Sequence, residues 1–180
     1  MKKTVLLVAL IIITGNIFAQ KKTTTSATVS FDATTSKDAL PKATNNAVIG
    51  SINTQTGDVA FEAAVKNFAF TNPTIQSHFN GDKWFNSDTY PVFSFSGKIE
   101  KAGKVNFSKD GVYKVTVNGT MKIRDVSKEE KMEGTITVSG GKIKIASDFD
   151  IELSDYKITG APIDAGKVAK EPKITVSAEF

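Results

Sequence analysis

The sequence predicts an all-β protein, an antiparallel β-barrel of about eight strands with a short helical insertion near residues 73–90. Three observations carry that prediction. Apolar and polar residues alternate with period two through most of the chain, Gly- and Asp-containing turns separate the alternating runs, and one stretch, Asn72 to Phe95, breaks the alternation. A sheet that is apolar on one face throughout must bury that face, and a sheet of so many strands either splits into a sandwich or curls shut. Closure removes the exposed edges and gathers the apolar faces together, so a barrel is the simpler outcome. About eight strands enclose an interior that side chains can fill or that can hold one small ligand, and periodicity does not choose between the two.

The chain opens with MKKTVLLVALIIITGNIFAQ, in which two lysines precede an unbroken apolar run from Val5 to Ile13 and a small residue, Ala19. That layout predicts a signal peptide over residues 1–19, with cleavage after Ala19 and export of the mature chain. The apolar run is shorter than the roughly 18 residues a membrane anchor needs. Residues 20–180 are then expected to form one domain, large enough to bury a core without disulfides. The absence of Cys excludes disulfides, thiolate metal sites and a lipid carried on an N-terminal Cys. Loss of Lys2 and Lys3 leaves 21 basic against 19 acidic residues, a formal charge of +2. The charges are interleaved rather than gathered in a stripe, so no nucleic-acid partner is expected.

Val29 and Phe31 alternate with Thr28, Ser30 and Asp32 in a first strand over Ala27 to Thr34, after a Thr-rich lead-in. Ser36 to Asn46, with Pro41 and two asparagines, reads as a loop. Val48 to Asn53 and the alternation of Val59, Phe61, Ala63 and Val65 read as a hairpin about a turn at Gln55 to Asp58. Beyond the central stretch Phe93, Phe95 and Ile99 share one face. The longest alternation sets Tyr113, Val115, Val117, Gly119, Met121 and Ile123 against Lys114, Thr116, Asn118, Thr120 and Lys122. Met132, Gly134, Ile136 and Val138 lead into a turn at Gly140-Gly141, and Ile143 through Leu153 continues the pattern. After a loop from Gly160 to Pro172, Ile174, Val176, Ala178 and Phe180 mark a last strand.

The central stretch reads NPTIQSHFNGDKWFNSDTYPVFSF and holds the one His and the one Trp. Asn72 is a good N-cap, Pro73 suits the first helical position and Gly81 suits the end. Ile75 and Phe79 fall four apart on one face, so a short helix is expected to roof one end of the barrel. His78 is expected to hydrogen-bond locally and fix that helix. A catalytic role is not expected, because no nucleophile turn accompanies His78, and one His without Cys does not make a zinc or haem site. The acids Asp148, Asp150, Glu152 and Asp155 alternate as a solvated strand face does. No metal, no cofactor and no catalytic residue are assigned.

The order His78-Phe79, Trp84-Phe85-Asn86, Tyr90-Pro91, Phe95 resembles the motif of the YceI-like family. Gly119 to Lys128 is similar to that family's Gly-x-Leu-Thr-Ile segment running into Val-Thr-Lys, and Leu153 to Ile158 is similar to its late Asp-Tyr/Phe-x-Ile element. Ile75 and Gln76 stand where an Arg-Asp pair often precedes the His, and Asp125 where Gly is usual. In these respects, and in its Ser36 to Asn46 loop, the chain is similar to a variant associated with exported Bacteroidetes proteins. The resemblance implies a lipocalin-like barrel, exported to the periplasm, whose apolar pocket holds an isoprenoid- or quinone-type lipid. It is also compatible with a homodimer, although no surface stripe marks a partner face. Phe61, Phe93, Phe95, Val115, Val117, Ile136, Phe149 and Ile151 are expected to line the interior, with Phe79, Trp84 and Phe85 at the roof. Each methylene removed from water contributes ~0.8 kcal/mol, so ten buried carbons would supply about 8 kcal/mol before ordering costs. Two other readings compete: a solidly packed barrel that acts through its loops, and an enzyme of lipid conversion for which no acid-base pair can be named.

Overall fold

A computed structural model describes residues 20–180. The segment expected to be a signal peptide, residues 1–19, lies outside the described residues. Nine strands follow in order: β1 (Lys21–Asp32), β2 (Lys42–Asn53), β3 (Asp58–Ala64), β4 (Ala69–Phe70), β5 (Val92–Ile99), β6 (Gly111–Ile123), β7 (Val126–Ser139), β8 (Lys142–Asp150) and β9 (Lys173–Glu179). Helix α1 (Pro73–Asn80) lies between β4 and β5, and one short turn of helix, α2 (Ala161–Asp164), between β8 and β9. All ladders are antiparallel. The strand order β1-β9-β8-β7-β6-β5-β3-β2 is closed by pairing of β1 with β2, so eight strands form the barrel. The two-residue β4 lies outside the ring, against Ala43 and Thr44 of β2. Among the described residues no helix is long and apolar enough to cross a membrane.

Turn chemistry fixes the tightest hairpin. Gly140 and Gly141 both have positive φ, 57° and 80°, as the two-residue turn between β7 and β8 requires. α1 begins as its residues dictate: the Asn72 side chain accepts from the Thr74 and Ile75 amides at 2.9 and 3.3 Å, and Pro73 takes the first position. The Gln76 side chain accepts from the Phe70 amide at 3.0 Å and joins α1 to β4. That bond, and not one from the exposed His78, anchors the helix.

Four boundaries differ from those read in the sequence. The run from Ile143 does not stay in the sheet as far as Leu153: β8 ends at Asp150, and Leu153 opens a 3-10 turn capped by the Glu152 side chain. β1 includes the Thr-rich lead-in. β2 begins at Lys42, so the irregular connection ends at Pro41, five residues before Asn46. The β1–β2 register shifts between Ala27↔Val48 and Val29↔Asn45, and there the fully buried Asn45 donates to the Ala64 carbonyl at 3.0 Å and accepts from the Ala47 amide at 3.0 Å. A bulge with a satisfied polar residue turned inward hides the alternation. β7 begins at Val126, well before Met132, because Lys128 and Glu130 occupy positions on its inward face.

Both ends of the barrel are filled. At the α1 end the Phe31, Phe68, Phe79 and Phe85 rings meet with centroids 4.4 to 6.4 Å apart, together with Leu153, Tyr156 and Ile158. Such edge-on and tilted aromatic contacts add about 0.5–1.5 kcal/mol each beyond the area they bury. At the other end Ile52, Val59, Ile99, Val105, Val138 and Ile143 pack together. The middle is left between these two plugs.

Candidate functional site

A cavity of about 130 Å³ lies between the plugs. Its walls come from every strand of the barrel. Phe61, Phe93, Phe95, Val115, Val117, Ile136, Phe149 and Ile151, the residues expected inside, all line it. Met121, Met132, Ile145, Val29, Val48 and Val176 line it too. Most of these shared the alternating faces already read, so the signal for them was present. Val29↔Val176, Val117↔Met132 and Phe95↔Met121 are cross-strand pairs, and such pairs put their side chains on one face.

The three expected roof residues stand elsewhere. Phe79 and Phe85 belong to the aromatic plug, with ring centroids 4.4 Å apart, and do not line the cavity. Trp84 is half-buried and borders an outer groove with Ile75, His78, Leu40 and Pro41. The helix therefore closes the barrel by thickness: its aromatics meet one another and not the cavity.

Backbone shape positions the rings inside. The Phe95 ring lies over the paired Gly97 and Gly119, where a Cβ would stand 2.8 and 2.7 Å from the ring edge. The Phe61 ring lies over Gly50 in the same way, with 2.9 Å to a Cβ placed there. Glycine in these strand positions lets an aromatic lie flat against the wall.

Burial separates this interior from an ordinary core. Val115, Val117, Met121, Met132 and Phe149 point inward from a closed barrel, yet each stays only half-buried. Interiors are normally close-packed with few voids larger than a water molecule. An unfilled space walled by aliphatic, Met and Phe side chains is one that an apolar ligand can enter without displacing well-held water. Ser94, Ser147 and Glu133 supply the few polar groups on its margin.

The wall is incomplete on one side. β6 and β7 pair along their whole length, from Gly111↔Val138 to Ile123↔Val126. The β7–β8 ladder runs only from Ser139↔Lys142 to Thr135↔Ala146, after which β8 continues with β9 alone as far as Asp150↔Lys173. The Ser147 hydroxyl donates to the Glu133 carbonyl at 2.6 Å at the point of parting. Farther along β7 the gap is bridged by the 3-10 turn Leu153–Tyr156. There the Tyr156 hydroxyl donates to Glu130 at 3.3 Å, and Lys128 pairs with Asp155 and lies over the Tyr156 ring. Lys157 pairs with Asp125 at 2.7 Å.

These contacts shift the groups that make them. Burial, with the Glu130 carboxylate next in importance, pushes the Tyr156 hydroxyl well above its usual range. The bond to Asp155 raises Lys128, and the bond to Lys157 lowers Asp125. All three favour the paired state near neutral pH. Sequence reading missed this bridge, since Lys128 and Glu130 on an inward face look like a solvated stretch. Among the described residues no group of three or more His, Cys, Asp or Glu could hold a metal ion.

The same barrel occurs in solved structures. The chain is similar to Burkholderia cenocepacia BcnA, at 18% identity and a TM-score of 0.72, over 86% of this chain and 96% of that one. It is similar to a polyisoprenoid binding domain from Saccharophagus degradans implicated in plant cell wall breakdown, at 12% identity and a TM-score of 0.74, over 89% and 97% of the two chains. The Campylobacter jejuni YCEI protein aligns at 21% identity with a TM-score of 0.56, over 74% and 80%. At such identities the likeness is one of fold. No curated protein matches the chain. The family model for the YceI-like domain matches residues 15–180, which span the whole barrel, α1 and the bridging turn, and the chain therefore belongs to the YceI-like family.

Proposed function

We propose that this protein is exported to the periplasm, where its barrel binds the chain of an apolar isoprenoid- or quinone-type lipid and catalyses no reaction. The observation that carries the proposal is the unfilled space itself: inward-facing Val115, Val117, Met121, Met132 and Phe149 remain half-buried although the barrel is closed and both ends are plugged. A packed barrel acting only through its loops would have no reason to leave them so. Membership of the YceI-like family and the fold shared with a polyisoprenoid binding domain support the same reading. The leader-like start of the sequence supports export.

Volume limits what the resting cavity can do. A void of about 150 Å³ holds a six-carbon ring, so 130 Å³ takes about five or six carbons. At ~0.8 kcal/mol per carbon that is about 4–5 kcal/mol before ordering costs, which leaves affinity weaker than about millimolar. Tighter binding requires more of the chain to be buried as Met121 and Met132 move, and Met adapts its shape readily. Titration with decylubiquinone, followed by equilibrium dialysis, tests this. Saturable binding by the wild type that Val117→Trp weakens at least tenfold is expected. Equal binding by both proteins would place any lipid outside the barrel.

A further inference from the structure

The cavity has a neighbour on the outside of the barrel. A hollow of about 420 Å³ on the outer surface is lined by Lys114, Thr116, Thr135, Ala146 and Asp148, and it shares Val115, Glu133, Gly134 and Ser147 with the cavity. Those shared residues stand where the β7–β8 ladder ends, at Thr135↔Ala146. The same four residues thus wall the space inside and the space outside beside the break in the sheet. The break is framed by the Ser147–Glu133 hydrogen bond on one side and by the Tyr156–Glu130 and Lys128–Asp155 contacts on the other. Half-buried Met132 and Phe149 flank it on β7 and β8.

We propose that this break is a side window of the barrel, through which an apolar chain is taken up and at which an uncharged, hydrogen-bonding head group stays in the outer hollow. The proposal rests on the lipid-binding reading above. Both barrel ends are filled by side chains, so the end-on route open to a cup-shaped barrel is blocked here. A cavity of 130 Å³ also cannot contain a whole isoprenoid of three or more units, and the remainder must leave through some part of the wall. The hollow sets the head group. Its charged side chains are one base, Lys114, and two acids, Glu133 and Asp148, with Asp148 already accepting from Thr175 at 2.5 Å. A phosphate or diphosphate calls for clustered Lys or Arg. A hydroxyl head can donate to the carboxylates, and a hydroxyl or carbonyl head can accept from Thr116 and Lys114, without charge conflict.

Two measurements on the full mature chain test the window. The protein has no Cys, so a Met132→Cys thiol is unique and reports the opening without any lipid. Fluorescein maleimide is expected to label it at least tenfold faster than Ile136→Cys, which faces the same interior but is fully buried. Equal slow labelling would show the wall closed and overturn the proposal. Uptake of tritiated farnesol, followed by rapid gel filtration, then tests the route. Met132→Trp and the outer-rim variant Thr116→Trp are expected to slow uptake and release at least tenfold, whereas Ile75→Trp, at the helix end, leaves both unchanged. Two rim variants keep the test valid should one fail to fold. Wild-type rates in the folded rim variants, or slowing by Ile75→Trp alone, would overturn the route. Farnesol is expected to bind at least tenfold more tightly than farnesyl diphosphate, and the reverse order would overturn the head-group assignment. If the wild type takes up neither lipid, the lipid-binding reading fails and the uptake route with it, while fast labelling at Met132→Cys would still report the opening.

Discussion

The Phe95 ring covers Gly119 so closely that a Cβ on Gly119 would stand 2.7 Å from the ring edge. The same Cβ would also press on the Ser96 carbonyl, which is backbone and cannot swing away. Gly119→Ala is therefore expected to destabilise the fold by roughly 1–3 kcal/mol, the range for overpacking. For a chain of this size that lowers the melting temperature by roughly 2–12 °C, at about 2–4 °C per kcal/mol. Thermal denaturation monitored by circular dichroism checks this, and an unchanged melting temperature would show that the ring has room to move.

The plug and the cavity should respond differently to the same truncation. Phe85, 1% exposed and in contact with Phe31, Phe79 and Phe93, is expected to cost about 3–5 kcal/mol as Phe85→Ala. Phe149→Ala should cost less, since its half-buried ring already borders empty space, and it should alter lipid affinity while stability changes little. Urea denaturation and dialysis of the two variants separate the cases. Equal destabilisation would mean that the middle of the barrel is as tightly packed as its end.

Much of this division was legible in the sequence, and its limits are instructive. Alternation in Tyr113 to Ile123 and Ile136 to Phe149 identified the inward face because those strands are regular and apolar inside. The eight interior residues read from such faces do line the cavity. Asn45 and the pair Lys128 and Glu130 break the alternation for tertiary reasons: one satisfies a bulge, the others meet Tyr156 and Asp155 from the 3-10 turn. Partners distant in sequence leave no local signal. Phe79, Trp84 and Phe85 were expected at a roof over the cavity, and spacing cannot show whether a ring meets a cavity or another ring.

His78 is expected to be dispensable. It is exposed on α1, and the helix is held by Asn72 and Gln76. His78→Ala should change stability by no more than about 0.5 kcal/mol, as surface substitutions do. Gln76→Ala removes the acceptor for the Phe70 amide and should cost about 1–3 kcal/mol. A larger effect at His78 than at Gln76 in parallel urea titrations would contradict this assignment.

The bridge across the β7–β8 gap should depend on pH at both extremes. Asp125 has a folded pKa below its ordinary 3.8, so its contribution is present above that value and is lost as pH falls through the folded pKa. Lys128 and Tyr156 are raised above their ordinary 10.5 and 10.0, so theirs is present below those values and is lost as pH rises beyond them. Opening of the Leu153–Tyr156 turn, measured by NMR or by proteolysis at its edges, should be least between about pH 4 and pH 10. An opening free energy with no slope against pH either below pH 4 or above pH 10 would show that Leu153 and Tyr156 packing alone holds the turn.

Native mass spectrometry of protein purified from its own cell envelope decides whether the barrel interior is a lipid site. A population heavier than the bare chain by the mass of one apolar lipid is expected, and organic extraction should identify that lipid as an isoprenoid- or quinone-type molecule with an uncharged head group. A bare mass that persists after incubation with farnesol and with decylubiquinone would contradict that expectation.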